Sequence, residues 1–316
     1  MARHRPLPSP LRPMAHSTEG VVQLRVHAFL HWLSRCMPPS STGAAPSADR
    51  TTTAHKQVIG VLGGMGPHAG VDLVDKIIAQ TDAATDQEHV PVALLSYPER
   101  LVDRSTFLFG EIDTNPAYAL ADVLRRLDDV GAVVAGMPCN TAHAPAIFDT
   151  IVQETARTGH DVRLLHMIDE TVQFMQATMP HVETVGTLST QAVYDLELHR
   201  APLEAAGFTV VTPAPAMRER INTTIFDPSF GLKAQSHPAT PQAKQNLLDA
   251  IHHLIERGAD AVVLGCTELP LAPLAARMDL VPLIDPAEIL ARALLRAVHP
   301  DHLKPLPPRL ASFQTA

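Results

Sequence analysis

The sequence predicts an α/β protein of two similar domains, each built around a parallel sheet. Apolar, strand-like runs alternate with helical patterns along most of the 316 residues. Strands separated by helices form parallel βαβ units. Two of these runs end in the same way, with a cysteine just beyond the strand, at Cys139 and at Cys266. This repeat, 127 residues apart (266 − 139), indicates two halves with one plan.

Composition agrees with a globular protein and excludes several other classes. The chain is 46% apolar and 18% charged, enough for a large core and about two domains. A net charge of −8 and a pI of about 6.1 give no reason to expect a nucleic-acid partner. Gly, Pro or charged residues interrupt every long apolar run, so we expect no membrane partner. Three cysteines favour a reducing compartment, and the predicted location is cytoplasmic.

Residues 1–55 differ from the rest of the chain. They contain six arginines, no lysine, and Glu19 and Asp49 as the acids. A short basic amphipathic helix is predicted over 21–37, and its flanks are typical of disorder. An Arg-rich, acid-poor segment also resembles a targeting sequence. We therefore predict a disordered or targeting-like extension over 1–55, a first domain over 56–165, a second over 166–285 and a Pro-rich tail over 299–316.

The first predicted domain opens on an apolar strand over 57–62, as expected for a strand buried on both faces. A glycine turn follows, and Pro67 suits the first position of a helix that runs to about residue 80. Further strands are predicted over 90–96, 132–137 and 162–166. Helices are predicted over 115–130, 144–155 and about 170–178. A C-terminal helix over 286–298 is expected to pack back on this domain.

The second predicted domain repeats this order. A strand over 183–187 leads through a turn to a helix over 191–206, a strand over 208–212 and a helix over 242–257. The strand over 261–265 then leads to Cys266, with a helical stretch expected beyond it. The spacing from the first turn to the cysteine is similar in both halves: 76 residues from Gly63 to Cys139 (139 − 63) and 79 from Thr187 to Cys266 (266 − 187).

Both cysteines are expected at the carboxyl edge of a parallel sheet, where such folds bind ligands. Two such edges facing each other would enclose a site between the domains. The start of a following helix would favour a thiolate there. Asn140, Thr141 and Thr267 could bind a carboxylate beside the thiols, or they could act as helix caps. Each cysteine, taken by itself, could also be a buried residue that only packs in the apolar core.

Other chemistries fit less of the sequence. The glycine turn at 63–66 matches part of a dinucleotide-binding pattern, which expects an acidic residue about 20 positions on, at the end of the next strand. Here that strand ends near residue 97, and Glu99 stands 33 residues beyond Gly66 (99 − 66). Cys139 and His143 stand four residues apart, but no further ligands follow at zinc-site spacing, so no metal is predicted. The same pair could form a Cys-His nucleophile for acyl transfer. That hypothesis leaves Cys266 without a role.

Four motifs together resemble the aspartate/glutamate racemase family, and most closely its aspartate racemase branch. They are Leu-Gly-Gly-Met-Gly-Pro (62–67), Asp-Arg-Ser-Thr (103–106), Pro-Cys-Asn-Thr-Ala-His (138–143) and Gly-Cys-Thr-Glu-Leu (265–269). The similarity runs from about residue 58 to 298. It implies two similar Rossmann/flavodoxin-like domains, usually in a homodimer, with the active site in the cleft between them. It also implies an isomerase that racemises a small amino acid without any cofactor.

The resemblance also implies roles for individual residues. Cys139 and Cys266 would be the two acid/base residues, serving the D- and the L-enantiomer respectively. Inversion through a planar carbanion requires a base on one face and an acid on the other, so the two thiols should titrate as a coupled pair. Substrate binding would involve Met65, Arg104, Asn140, Thr141, Thr267 and Lys233, with supporting roles for His143 and Glu268. Arg104 is the candidate for the side-chain carboxylate, although Ser105 interrupts the family's Asp-Arg-Thr motif.

The predicted function is the interconversion of L- and D-aspartate, or of L- and D-glutamate. Two alternatives use the same scaffold: a hydantoin racemase, and a malonate-type decarboxylase or isomerase. The decarboxylase needs only one cysteine for protonation, so the second cysteine argues against it. A non-catalytic amino-acid-binding protein with a cleft between two lobes is a further alternative.

Overall fold

The computed structural model describes residues 57–272, 274–275, 277–278 and 280–307. The predictions for residues 1–55, and for the tail beyond residue 307, lie outside the described residues. The first sheet has the strand order β2-β1-β3-β4, and each neighbouring pair is parallel. Its strands are Val58–Gly63 (β1), Val92–Ser96 (β2), Ala132–Gly136 (β3) and Arg163–Leu164 (β4).

The second sheet has the order β6-β5-β7-β9-β8. Its strands are Thr184–Leu188 (β5), Thr209–Val211 (β6), Ala261–Leu264 (β7), Arg277–Met278 (β8) and Val281–Ile284 (β9). β8 pairs with β9 in antiparallel fashion, and the other pairs are parallel. Apart from β8, this sheet repeats the order of the first sheet, with β5 in the place of β1 and β7 in the place of β3. The predicted α/β class with two similar halves is confirmed.

Helices separate the strands of the first half. They are Pro67–Gln80 (α1), Arg104–Leu108 (α2), Ala117–Asp129 (α3), Pro145–Arg157 (α4) and Met167–Thr178 (α5). In α3, Leu120, Leu124 and Leu127 recur on one face and are fully or almost fully buried, the pattern of an amphipathic helix on a sheet. Helix α2 is not predicted from the sequence, because its five residues are too few to show such periodicity.

The second half has the helices Gln191–Asp195 (α6), Arg200–Ala205 (α7), Pro215–Phe226 (α8), Pro241–Glu256 (α9) and Pro286–Val298 (α10). The prediction of one helix over 191–206 is wrong. The chain leaves α6 at Glu197, whose φ of 52° is left-handed. The N–H groups of Glu197 and Leu198 return to the carbonyls of Tyr194 and Val193. These two bonds form a Schellman motif, which ends a helix.

The helix predicted over 144–155 is confirmed as α4, but it begins at Pro145, six residues beyond Cys139 (145 − 139). The helix predicted directly after Cys266 is wrong: the described residues between Cys266 and β8 form the 3₁₀ turn Leu269–Leu271. Contrary to the sequence prediction, neither cysteine therefore stands at the start of an α-helix. Ala144 and Ala272 both stand before a proline, and their ψ angles of 137° and 130° are extended. The proline that follows disfavours a helical conformation at the preceding residue.

Helix α10 follows the second sheet in sequence but packs against the first. Leu290 and Leu294 of α10 belong to the same buried cluster as Ile59, Val61 and other residues of β1, β3 and α1. The ammonium of Lys76 in α1 lies 2.7 Å from the carboxylate of Asp285, which caps α10. One face of the first sheet is therefore covered by α1 and α10 together. Across the described residues, each helix is too short or too polar to cross a membrane.

Candidate active site

A cavity of about 20 Å³, with room for about one water molecule, lies where the carboxyl edges of the two sheets meet. The cavity is lined by Met65, Asp103, Arg104, Ser105, Cys139, Asn140, Thr141, Thr190, Phe226, Lys233, Gly265, Cys266, Thr267 and Glu268. Both thiols are free, and each cysteine is 6% exposed. The two cysteines therefore line one cavity from the ends of equivalent strands, β3 and β7.

The loop after β3 is held by hydrogen bonds within the first half. The ring of His143 donates from Nδ1 to the carbonyl oxygen of Cys139 at 2.8 Å. The backbone carbonyl of His143 accepts a hydrogen bond from the ring of His166 at 3.3 Å. Burial lowers the pKa of His143 well below its ordinary value, and nearby His166 adds to this shift. His143 is thus a neutral ring that bonds the backbone of Cys139 rather than its thiol.

Arg104 is the cationic residue on the Cys139 side of the cavity. It stands at the start of α2, where the Asp103 carboxylate accepts from the N–H groups of Ser105 and Thr106. Ser105 is therefore accommodated inside this capped turn. Burial alone would lower the pKa of Arg104, but negative charge at the neighbouring Cys139 and Asp103 raises it. The guanidinium therefore places positive charge beside Cys139.

The second half has a different arrangement around its thiol. Cys266 Sγ donates to Glu268 Oε2 at 3.0 Å, while the ammonium of Lys233 donates to Glu268 Oε1 at 2.6 Å. Burial raises the pKa of the Cys266 thiol well above its ordinary value, and the negative charge of Glu268 raises it further. Burial would also raise the pKa of Glu268, but the charge of Lys233 lowers it. Glu268 is thus an ionised carboxylate that keeps Cys266 protonated.

Lys233 lies in the segment between α8 and α9. Its backbone N–H donates to the carbonyl of Ile225 at 3.0 Å, and the neighbouring Leu232 is fully buried. The Lys233 ammonium also lies 5.6 Å from the ring centroid of Phe226, a distance suited to a cation–π contact. Burial would lower the pKa of Lys233, but the charge of Glu268 raises it. Lys233 is therefore a fixed, charged component of the cavity wall.

Three contacts join the two halves around the cavity. The hydroxyl of Thr267 donates to the carbonyl of Pro138 at 3.2 Å. His199 Nε2 lies 2.9 Å from Asn140 Oδ1. A Cβ atom on Gly66 would stand 3.0 Å from Glu268 Oε1, so the glycine turn after β1 packs closely on that carboxylate. The cavity is thus formed by both halves together.

Nine of the ten predicted site residues line the cavity, and His143 lies behind it. The remaining lining residues, which the sequence analysis does not propose, are Asp103, Ser105, Thr190, Phe226 and Gly265. Thr190 follows β5 in the turn equivalent to the glycine turn after β1. Because parallel sheets bind ligands at the carboxyl ends of their strands, Thr190 could have been predicted as a site residue. Phe226 ends α8, a helix omitted from the prediction. Among the described residues, His, Cys, Asp and Glu form no group of three or more that could hold a metal ion.

Comparison with known proteins gives one consistent result. Residues 62–294 match the Asp/Glu/hydantoin racemase family. The chain is 24% identical to the broad specificity amino-acid racemase RacX of Bacillus subtilis (strain 168), over 75% of this chain and 96% of that protein.

Two solved structures share the fold. An aspartate racemase of Picrophilus torridus is 28% identical with a TM-score of 0.64, over 77% of this chain and 94% of that one. An aspartate racemase homologue from Pyrococcus horikoshii OT3 is 22% identical with a TM-score of 0.59, over 77% of this chain and 99% of that one. The family match covers well over half of the sequence and includes both cysteine loops. This chain therefore belongs to the Asp/Glu/hydantoin racemase family and is an isomerase.

Proposed function

We propose that this protein racemises aspartate, and glutamate as a second substrate, by proton transfer between the α-carbon and two cysteines. The observation that carries the proposal is the pair of buried thiols, Cys139 and Cys266, at equivalent positions around one cavity. One thiolate removes the Cα proton and becomes a thiol. The electron pair left on Cα delocalises into the α-carboxylate. The other thiol then protonates Cα on the opposite face and becomes a thiolate.

The surroundings of the two thiols favour one resting protonation state. Arg104 places positive charge beside Cys139. Glu268 accepts the proton of Cys266 in a hydrogen bond and disfavours a second negative charge there. We therefore assign the base of the resting enzyme to Cys139, beside the cation, and the acid to Cys266, beside the carboxylate. Because the family resemblance assigns Cys139 to the D-enantiomer, the resting state is ready for D-aspartate.

The polar groups of the cavity suit a substrate with two carboxylates. Asn140, Thr141 and Thr267 lie beside the thiols and would bind the α-carboxylate, where negative charge develops during the reaction. Arg104 and Lys233 supply positive charge for the side-chain carboxylate. A planar guanidinium binds a carboxylate through two parallel hydrogen bonds. Two cations in the cavity wall favour an acidic amino acid over a hydantoin, which has no carboxylate.

The assembly and location also belong to the proposal. The reaction needs both thiols reduced, so we propose a reducing, cytoplasmic location. We propose a homodimer by family resemblance. No cofactor enters the proposed mechanism, because the two thiols supply both the base and the acid.

Proton NMR in D₂O tests the proposed function. The purified protein is incubated with L-aspartate, then with L-glutamate and with an uncharged amino acid, and the products are separated by chiral chromatography. We expect the Cα–H signal to disappear as the D-form accumulates, fastest with aspartate. If neither acidic substrate exchanges its Cα proton, the proposed substrates are wrong, and hydantoins become the next substrates to assay.

A further inference from the structure

The side chain of Asn140 contacts a histidine of the other half. His199 Nε2 lies 2.9 Å from Asn140 Oδ1. Both residues are only 3% exposed. Asn140 lines the cavity, whereas His199 is not among the residues that line it. His199 therefore touches Asn140 from the side away from the substrate.

The direction of this hydrogen bond is fixed by its chemistry. An amide oxygen can only accept, so His199 Nε2 carries the proton and donates. Burial lowers the pKa of His199 to about 4, so the ring is neutral near pH 7 and has one N–H to give. With its oxygen held by His199, Asn140 directs its NH₂ group away from the histidine.

The NH₂ group of Asn140 is left without a partner. Asn140 Nδ2 is buried and makes no hydrogen bond within the described part of the chain. A buried donor without an acceptor is unfavourable, and native proteins rarely leave one unless a ligand or water completes the site. A carboxylate in the cavity would supply the missing acceptor.

The fold holds His199 firmly in this place. The left-handed residue Glu197 ends α6 and turns the chain, so that His199 stands at the start of α7. The carbonyl of His199 accepts from the N–H of Leu203 at 3.1 Å. The ring lies against Gly265, where an added Cβ would stand 3.0 Å from Nε2. The ring is thus positioned by the break between α6 and α7 and by a glycine next to Cys266.

We infer that His199 is a positioning residue, which fixes the amide of Asn140 so that its NH₂ group faces the α-carboxylate of the substrate. This inference rests on the proposed racemase function. Without His199 the amide can rotate and direct its oxygen at the carboxylate, where two acceptors repel. The loss should appear mainly in kcat, because the carboxylate gains negative charge as the Cα proton leaves.

A double-mutant cycle tests this role. We expect His199→Leu and Asn140→Ala each to lower kcat/KM by about 10- to 100-fold, the range for a hydrogen bond to a charged group. The double variant should be no slower than the slower single variant, because His199 acts only through Asn140. His199→Gln, which keeps an N–H donor, should recover most of the activity.

Control variants separate positioning from general damage. Asn140→Asp keeps the acceptor for His199 but has no NH₂ group, so it should lose activity as Asn140→Ala does. His253→Leu removes a histidine that accepts from the N–H of Ala214, outside the cavity lining, and should change kcat/KM by less than about twofold. Circular dichroism and thermal unfolding confirm that each variant is folded before its kinetics are compared.

Three outcomes would overturn the inference. In one, the losses from His199→Leu and Asn140→Ala multiply in the double variant. In another, His199→Gln is as slow as His199→Leu in a folded protein. In the third, Asn140→Asp keeps the activity of the wild type. A wild type that racemises no amino acid overturns the proposed function instead. The same cycle is then measured by calorimetry with succinate, a dicarboxylate that has no amino group, and additive losses of affinity again reject the positioning role.

Discussion

The Cys266 thiol donates a hydrogen bond to the Glu268 carboxylate, two residues further along the chain, at 3.0 Å. Burial and the charge of Glu268 together raise the pKa of Cys266. In the proposed mechanism, Cys266 must stay protonated while Cys139 is a thiolate. The proposed mechanism therefore predicts that activity is lost when the pH rises through the pKa of Cys266, so this hydrogen bond should set the alkaline limit of activity.

Glu268→Gln should move that alkaline limit to lower pH. The substitution removes a negative charge that raises the pKa of Cys266, and it leaves the positive charge of Lys233, which lowers that pKa. The measurement is kcat/KM against pH for both proteins, with thiolate absorbance as a direct probe. Cys266→Ser in the same titration identifies the signal of Cys266. An alkaline limit that stays in place, or moves upward, contradicts this account of Glu268.

Cys139 should react with iodoacetamide before Cys266. Alkylation needs a thiolate. The positive charge of Arg104 lies beside Cys139, whereas burial and the negative charge of Glu268 raise the pKa of Cys266. Each cysteine is 6% exposed, so accessibility does not favour either one. The labelled sites are followed by mass spectrometry in a Cys36→Ser background. Arg104→Gln should slow labelling at Cys139, and faster labelling at Cys266 in the wild type would reverse the assigned resting state.

Cys139→Ser and Cys266→Ser should each abolish racemisation, with a loss of at least about 10³-fold, because a hydroxyl is a far weaker acid and base than a thiol at neutral pH. A variant with one remaining thiol can still exchange the Cα proton of one enantiomer with solvent. The two variants should therefore exchange opposite enantiomers in D₂O, which NMR with separate L- and D-aspartate would measure. Substantial racemisation in both directions by Cys266→Ser would reject the two-thiol mechanism.

Arg104→Ala should lower kcat/KM for aspartate by about 10- to 100-fold more than for an uncharged amino acid such as alanine. The guanidinium is proposed to bind the side-chain carboxylate, which alanine lacks. Arg104→Lys is the matched control, because it keeps the charge and loses the planar fork. Equal losses of kcat/KM with aspartate and alanine would show that Arg104 does not recognise the substrate's side chain. Its proposed role would then be limited to its charge beside Cys139.

Leu294→Ala should destabilise the protein by about 2–5 kcal/mol, the range for truncating a fully buried leucine. Leu294 packs with Ile59, Val61 and Val134 in the cluster between α10 and the first sheet. Urea unfolding measures the change. Val152→Ala on α4 is the control, because Val152 is 44% exposed and should cost less than about 1 kcal/mol. A similar loss for both variants would show that α10 contributes little to the core.

The strands and most long helices could be predicted from the sequence because their periodicity is local. The apolar runs before Cys139 and Cys266 indicated β3 and β7, and with them the sheet edge at which the site lies. The prediction of a helix after Cys266 is wrong. The apolar residues of that segment indicate a helix, but the prolines at 270 and 273 oppose one. The prediction lacks helix α8, in which Met217, Ile221 and Ile225 recur every four residues among mostly polar and charged residues.

The contacts within the site could not be predicted in the same way. The bond from His199 to Asn140 joins residues 59 positions apart. It depends on the turn at Glu197, which has none of the usual sequence signals for ending a helix, since glycine is the residue expected there. The pairing of Lys233 with Glu268 depends on where the chain runs after α8. Side chains that meet across two domains are determined by the packed fold rather than by local patterns.

The packing of α10 also determines the order in which the protein can fold during synthesis. Domains generally fold as units while the ribosome makes the chain, starting from the N-terminal side. Here α10, which covers part of one face of the first sheet, is translated after β9, the last strand of the second sheet. The first half therefore leaves the ribosome before α10 can cover its apolar face. The part of that face that contacts α10 stays exposed until the second half has been made. Its core becomes complete only when α10 arrives, so the two halves reach their native state together.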